Sequence, residues 1–261
     1  MAKLQIEYFS NALRRATTFE MLIPNDHVAG IPWENDVAHA RPMKTLFLLH
    51  GYTGKAGNWV PEGLPEKYNF AIVMPTAENS FYLDGEATGS AFQTMVGVEL
   101  VDYVRRTFRL AEGPDDTYIA GLSMGGFGAL HTGFAYPDRF GKICALSSAL
   151  IVHEVATMKP GSSNGVANYA YYAACFGDPA TAAERDVNPE VLAHKLKAAG
   201  AKIPEIFMAV GTEDFLLENN RVMHRFLESE GIPHQYFESK GNHDMVFWHE
   251  YITKGVEWMF G

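Results

Sequence analysis

Five uninterrupted apolar runs limit what this 261-residue chain can fold into. They are Thr45-Leu46-Phe47-Leu48-Leu49, Phe70-Ala71-Ile72-Val73-Met74, Thr117-Tyr118-Ile119-Ala120, Ile143-Cys144-Ala145-Leu146 and Ile206-Phe207-Met208-Ala209-Val210. A strand with one face in water alternates polar and apolar residues. Runs without that alternation suit strands buried on both faces, as in a mostly parallel sheet covered by helices on either side. Stretches with apolar residues at three-to-four spacing lie between and beyond them, predicting helices over 96–108, 125–134 (stopped by Pro137), 219–229 (ended by Gly231) and 245–260. Strand and helix alternate, so the expected class is α/β, one layered domain over 1–261 with right-handed crossovers. Residues 4–9 and 17–23 read as an antiparallel pair at a sheet edge, and 235–238 as a short final strand.

One stretch breaks the rhythm. Residues 151–202 are about twice the length of an ordinary crossover. They hold a loop-like piece at 160–164 and an aromatic-rich piece at 169–176. Two readings stand side by side: surface helices, or a small lid-like insertion over the face where strands end. The aromatics could equally cover a second copy in a homo-oligomer.

Every apolar run that ends in a glycine-containing loop is a place to look for chemistry, because open parallel sheets bind ligands at the carboxyl ends of their strands. Behind 117–120 stands Gly121-Leu122-Ser123-Met124-Gly125, a Gly-x-Ser-x-Gly pattern between a strand and a helix. A sharp turn there lifts the Ser123 hydroxyl clear of the sheet, with glycines wherever a Cβ would strike the neighbouring strand or helix. Alone, the pattern is weak; about one chain in ten of this length would carry it by chance.

A serine hydroxyl needs a base within hydrogen-bond reach, and the base needs an orienting acid. Behind 206–210 comes Gly211-Thr212-Glu213-Asp214. Asp214 is the expected acid, since its short side chain can be held rigidly against an imidazole; Glu213 is the alternative, or a cap for the helix beginning near Leu217. Of ten histidines, His243 in Gly241-Asn242-His243-Asp244 lies downstream of the acid and after the last strand. His249 falls inside a helical pattern, and His234 precedes its strand. The negative charge of a tetrahedral intermediate would rest on backbone N–H groups. Met124 would supply one and Tyr52, in His50-Gly51-Tyr52-Thr53-Gly54, the other. His50 is expected to support that loop rather than act as a second base.

Other chemistries find no footing. The chain has no His-Glu-x-x-His and no cysteine pair at zinc spacing, so no metal is expected. Gly54-Lys55 lacks the phosphate-loop spacing, and the glycines at 121, 125, 126 and 128 do not make a dinucleotide fingerprint, so no cofactor is expected either. The scattered methionines read as core filler. A formal charge of −10 argues against nucleic acid or an anionic membrane as partner. Residues 1–10 carry Lys3 and Glu7 without an apolar core segment, and Cys144 and Cys175 are the only cysteines. Both facts suggest a reducing, cytoplasmic setting.

Taken together, 48–54, 120–128, 211–215 and 241–244 resemble the esterase D and tributyrin esterase family, which includes S-formylglutathione hydrolases, some feruloyl esterases and, more distantly, mycolyl transferases. Ile6-Glu7-Tyr8-Phe9-Ser10 and Trp248 are similar to the tributyrin esterases. The resemblance spans nearly the whole chain. It implies an α/β-hydrolase fold without a separate cap domain and the triad Ser123, Asp214 and His243. It also implies hydrolysis of short-chain carboxylic esters through an acyl-enzyme, acetylated or feruloylated sugars among them. Two alternatives stand beside it: an S-formylglutathione hydrolase-like thioesterase, and a binding module on the same fold without turnover.

Overall fold

In the computed structural model, which describes residues 1–24 and 36–261, eight strands form one sheet. They are β1 (Ala2–Ser10), β2 (Arg15–Ile23), β3 (Lys44–Leu49), β4 (Phe70–Pro75), β5 (Thr117–Leu122), β6 (Lys142–Leu146), β7 (Glu205–Gly211) and β8 (Gln235–Ser239). Their order is β1-β2-β4-β3-β5-β6-β7-β8. β1 and β2 are antiparallel, as is β2 to β4, and every other pairing is parallel. The expected hairpin is the sheet edge, and along β1 more and less exposed residues alternate, as one solvated face requires.

Each continuous apolar run splits between two cores by the period-two geometry of a strand. Phe47, Leu49, Ile119, Ile143, Ala145 and Met208 point to one side, where they meet Val96, Val104, Phe127, Leu130 and Met223. Leu46, Leu48, Tyr118, Cys144, Leu146 and Phe207 point to the other, against Tyr68, Phe247, Tyr251, Val256 and Phe260. Burying such a side chain stabilises by roughly 1.5–3 kcal/mol, which is why these runs admit no polar interruption. The α/β layering expected above is present.

One helix differs from expectation. The helix predicted over 96–108 begins at Phe92 and contains a π-helical stretch, Met95–Leu100, before regular helix resumes at Val101–Phe108. A wider turn shifts the phase of the apolar face, and the three-to-four spacing over 96–108 did not distinguish that stretch from regular helix. Gly97 sits in that turn under the Tyr136 ring, which a Cβ would strike. Residues 151–202 form the short helices Val152–Thr157 and Tyr169–Phe176, a 3-10 turn Pro179–Glu184 and the helix Pro189–Ala198. Among the described residues no helix is long and apolar enough to cross a membrane.

Candidate active site

β5 runs straight into the helix Met124–Ala135, and Ser123 makes the turn with φ 56° and ψ −120°. An L-residue reaches that conformation only when its surroundings enforce it. The enforcement is visible. Ser123 N–H donates to Leu146 O at 2.9 Å, and its carbonyl accepts from Phe127 N–H at 3.1 Å and Ala149 N–H at 2.9 Å. A Cβ on Gly121 would overlap the Gly125 carbonyl, and one on Gly125 would stand 2.5 Å from Leu49 O. Both glycines of the pattern are therefore steric requirements of the bend.

The loops after β7 and β8 bring two further groups to this serine. His243 Nε2 lies 3.0 Å from Ser123 Oγ, and His243 Nδ1 lies 2.9 Å from Asp214 Oδ2. Asp214 is held from its other side, where Oδ1 accepts from Leu216 N–H at 2.8 Å. Burial alone would raise the Asp214 pKa. The hydrogen bond to His243 opposes burial, as do the Leu216 N–H and the neighbouring Ser147 hydroxyl, and together they hold the carboxyl below the usual carboxylate range. An ionised Asp214 accepts only, so Nδ1 carries the imidazole proton and Nε2 offers its lone pair to Ser123. Phe215 packs on His243 at 4.6 Å between ring centroids, and Trp248 meets it edge-on at 4.9 Å.

Glu213 does not join this line; its carboxylate meets Asn242 Nδ2 at 3.4 Å. His234 is bonded to His224 and to Ile232 O, and His249 lies on the helix Met245–Phe260. His50 is tied into its loop. Ala77 N–H donates to His50 Nε2 at 3.0 Å, so Nδ1 bears the proton and donates to Gly51 O at 2.8 Å. With its lone pair engaged, and its pKa lowered by burial against the opposing Gly51 contact, His50 is a neutral strut.

A cavity of about 650 Å³ opens above Ser123. Gly51, Tyr52 and Met124 line it near the serine, and Ile151, Glu154, Asn164, Val166 and Tyr172 line it from the 151–202 segment. Among the described residues, Glu154 is the one lining residue with a formal charge at neutral pH. Its carboxylate accepts from Asn219 Nδ2 at 2.8 Å. The backbone of residue 51 lies close to the serine: a Cβ on Gly51 would be 3.5 Å from Ser123 Cβ.

Several residues of this neighbourhood were not singled out from sequence. Buried Asn220 accepts from Ser148 N–H and donates to Ser148 O and Leu216 O, joining the loop after β6 to the loop that carries Asp214. Phe215, 74% exposed, directly follows Asp214 in the Gly-Thr-Glu-Asp-Phe motif, and that adjacency was the available signal. Among the described residues no group of three or more His, Cys, Asp or Glu is arranged to hold a metal ion.

Known proteins align with this chain along almost its full length. A family model described as "Putative esterase" matches residues 10–259. The chain is similar to an acetyl esterase of Caldicellulosiruptor saccharolyticus, 40% identical over 263 aligned positions that cover 99% of this chain and 98% of that protein. Among solved structures it is similar to the Staphylococcus aureus fluorophosphonate-binding serine hydrolase FphF, with 25% identity, a TM-score of 0.83, and coverage of 100% of this chain and 98% of that one. An S-formylglutathione hydrolase of Staphylococcus aureus shares the fold at 24% identity and a TM-score of 0.81, over 100% of this chain and 99% of its own.

Proposed function

The chain belongs to the Esterase family, and from that premise we propose that it is a serine carboxylesterase of short-chain acyl esters in which Ser123, His243 and Asp214 carry the reaction. It is an α/β-hydrolase and a carboxylic ester hydrolase. The observation that carries the assignment of roles is the unbroken line from Ser123 Oγ to His243 Nε2 at 3.0 Å and from His243 Nδ1 to Asp214 Oδ2 at 2.9 Å, at the floor of a cavity.

The chemistry follows from that line. His243 Nε2 takes the Ser123 proton as Oγ attacks the ester carbonyl carbon, and the carbonyl oxygen becomes an oxyanion. The N–H groups of Tyr52 and Met124 receive this charge. Met124 supports the role because it is the first residue of a helix, where backbone N–H groups are left without an intrahelical acceptor. One such donor contributes about 3 kcal/mol, whereas nucleophile and base act as a unit worth roughly a millionfold. The intermediate collapses as His243 returns its proton to the departing alkoxide, leaving an acyl group on Ser123. Water then repeats the sequence and releases the acid, restoring Ser123 and neutral His243. Asp214 keeps its charge throughout and stabilises the imidazolium between the two proton transfers.

Acetyl and other short acyl groups are the favoured substrates, on the likeness to the acetyl esterase. Glu154 favours neutral esters over anionic ones, since among the described residues the cavity wall offers no lysine or arginine to offset a second negative charge. The 151–202 segment acts as a wall of the substrate cavity. Free Cys144 and Cys175, both with thiol pKa values raised by burial, suit a reducing compartment such as the cytoplasm.

The test is a panel of p-nitrophenyl acetate, butyrate, octanoate and hemisuccinate assayed with wild type and Ser123→Ala. Activity should fall from acetate to octanoate and from neutral to anionic acyl groups, and Ser123→Ala should be silent. Undiminished turnover by Ser123→Ala would sink the proposal. A strong preference for S-formylglutathione over every oxygen ester would move the assignment to a thioesterase.

A further inference from the structure

The loop that follows β4 holds an unusual concentration of left-handed backbone. Glu78, Phe81 and Tyr82 have φ values of 52°, 51° and 55°, and none is glycine. Such conformations cost of order 1–3 kcal/mol each and persist only where surrounding contacts over-determine them. Three of this loop's contacts reach one neighbour, the 50–54 loop. Ala77 N–H donates to His50 Nε2 at 3.0 Å, and Tyr82 OH donates to His50 O at 2.9 Å. Asn79 Oδ1 accepts from Thr53 N–H at 2.7 Å.

The third bond differs from the other two in where it acts. His50 precedes Gly51, but Thr53 N–H belongs to the peptide unit immediately after Tyr52, and Thr53 itself is left-handed at φ 62°. Gly54 N–H closes the turn onto Gly51 O at 3.0 Å, so the Gly51 carbonyl, which shares its peptide unit with Tyr52 N–H, is anchored too. Fixing the peptide units on both sides of Tyr52 leaves its N–H one direction in which to point. Asn79 is held in its turn, because its main-chain carbonyl accepts from Tyr171 OH at 2.6 Å. The Tyr171 ring also stands edge-on to the Tyr52 ring, with centroids 5.9 Å apart.

We propose that Asn79 is a positioning residue for ester hydrolysis: its side-chain carbonyl, by holding Thr53 N–H, aims Tyr52 N–H at the oxyanion. The inference rests on the esterase reading above and on Tyr52 as a donor. Asn79 touches no substrate. Its contribution is realised only when negative charge develops on the substrate oxygen, so it lowers the barrier to acylation without strengthening ground-state binding.

Asn79→Leu removes the acceptor and Asn79→Asp retains one. With p-nitrophenyl acetate, Asn79→Leu should lower kcat by about tenfold to a hundredfold, less than the roughly hundredfold to thousandfold seen when a donor is deleted outright, because Tyr52 N–H is misaimed rather than absent. KM should stay within about twofold, and inhibition by an alkylboronic acid, which forms a tetrahedral adduct on the serine, should weaken in step with kcat. Asn79→Asp should recover most of the activity. Should Asn79→Leu fail to fold, Asn79→Ala carries the same expectations. A folded variant without the acceptor that keeps kcat within about twofold overturns the inference, as does an Asp variant as impaired as the Leu variant. If the wild type itself hydrolyses no ester, it is the functional reading that has failed, and the two failures are told apart.

Discussion

Asp214→Asn exchanges one carboxylate oxygen for an NH2 group at a side chain with no exposed surface, so its effect follows from which contacts the amide can keep. The carboxylate now accepts twice, from Leu216 N–H at 2.8 Å and from His243 Nδ1 at 2.9 Å. An amide has a single acceptor oxygen. If that oxygen stays with Leu216, the NH2 faces His243 and forces Nδ1 to accept; Nε2 then carries the proton and cannot take one from Ser123. If the amide flips, the imidazole keeps its working tautomer but NH2 is driven against Leu216 N–H in a site closed to water. That mismatch costs about 1–3 kcal/mol, so the working arrangement is populated roughly fivefold to 150-fold less than the inactive one. The neutral amide also forgoes the charge-assisted bond to the imidazolium, about 1.5–3 kcal/mol, or a further tenfold to 150-fold. The product is a fall in kcat of about 10² to 10⁴, with KM little changed. The amide can keep the Leu216 contact, so the melting temperature should move by only a few degrees. Steady-state kinetics with p-nitrophenyl acetate and a melting curve measure both, with Glu213→Gln as the control expected to stay within about twofold. A folded Asp214→Asn enzyme with kcat within about tenfold of wild type would refute the reasoning.

Two further outcomes follow from the strained turn and from a buried histidine. Ser123→Gly and Ser123→Ala both lack the nucleophile and should both be inactive, but Gly relieves the backbone at φ 56° and ψ −120°. That relief, about 1–3 kcal/mol, exceeds the usual 0.5–1 kcal/mol penalty for glycine, so the Gly variant should melt above the Ala variant; the reverse order would mean the turn stores no strain. His131 is buried, its Nε2–H donates to Asp186 O at 2.7 Å, and its pKa is lowered by burial to about 4, against the opposing Asp186 contact. Its folded-state pKa lies below the unfolded value near 6.5. The unfolded chain therefore takes up a proton that the folded protein refuses. Stability from this residue is complete above about pH 6.5, falls as pH drops toward 4, and levels off below. Urea unfolding at pH 7 and pH 4.5 should show a smaller loss in His131→Gln than in wild type, and equal losses would count against the burial of a neutral imidazole.

Particular residues show how far sequence reasoning reached. The strands built on 45–49, 70–74 and 206–210 were readable because burial on both faces demands unbroken apolar runs. Ser123, Asp214 and His243 were readable because each follows a strand end in a glycine-containing loop, and in the structure all three meet within hydrogen-bond distance. Asn79, Tyr82, Tyr171 and Asn220 were not. Their partners are backbone atoms of loops far away in sequence, and such bonds leave no periodicity and no motif. The π-helical character of Met95–Leu100 was not readable either, because apolar residues at three-to-four spacing over 96–108 predict a regular helix.

The chain by itself determined the layers, the order of the loops and the side-chain chemistry each loop presents. Hydrophobic periodicity and glycine sterics are local properties, written residue by residue. Only tertiary structure decided the distances: 3.0 Å and 2.9 Å across the line from Ser123 to Asp214, the walls of the cavity above it, and the bond from Thr53 N–H to Asn79 in the loop after β4. Those quantities depend on how separate strands stack in register, and hydrogen bonds and steric fits respond to tenths of an ångström that no stretch of sequence carries alone.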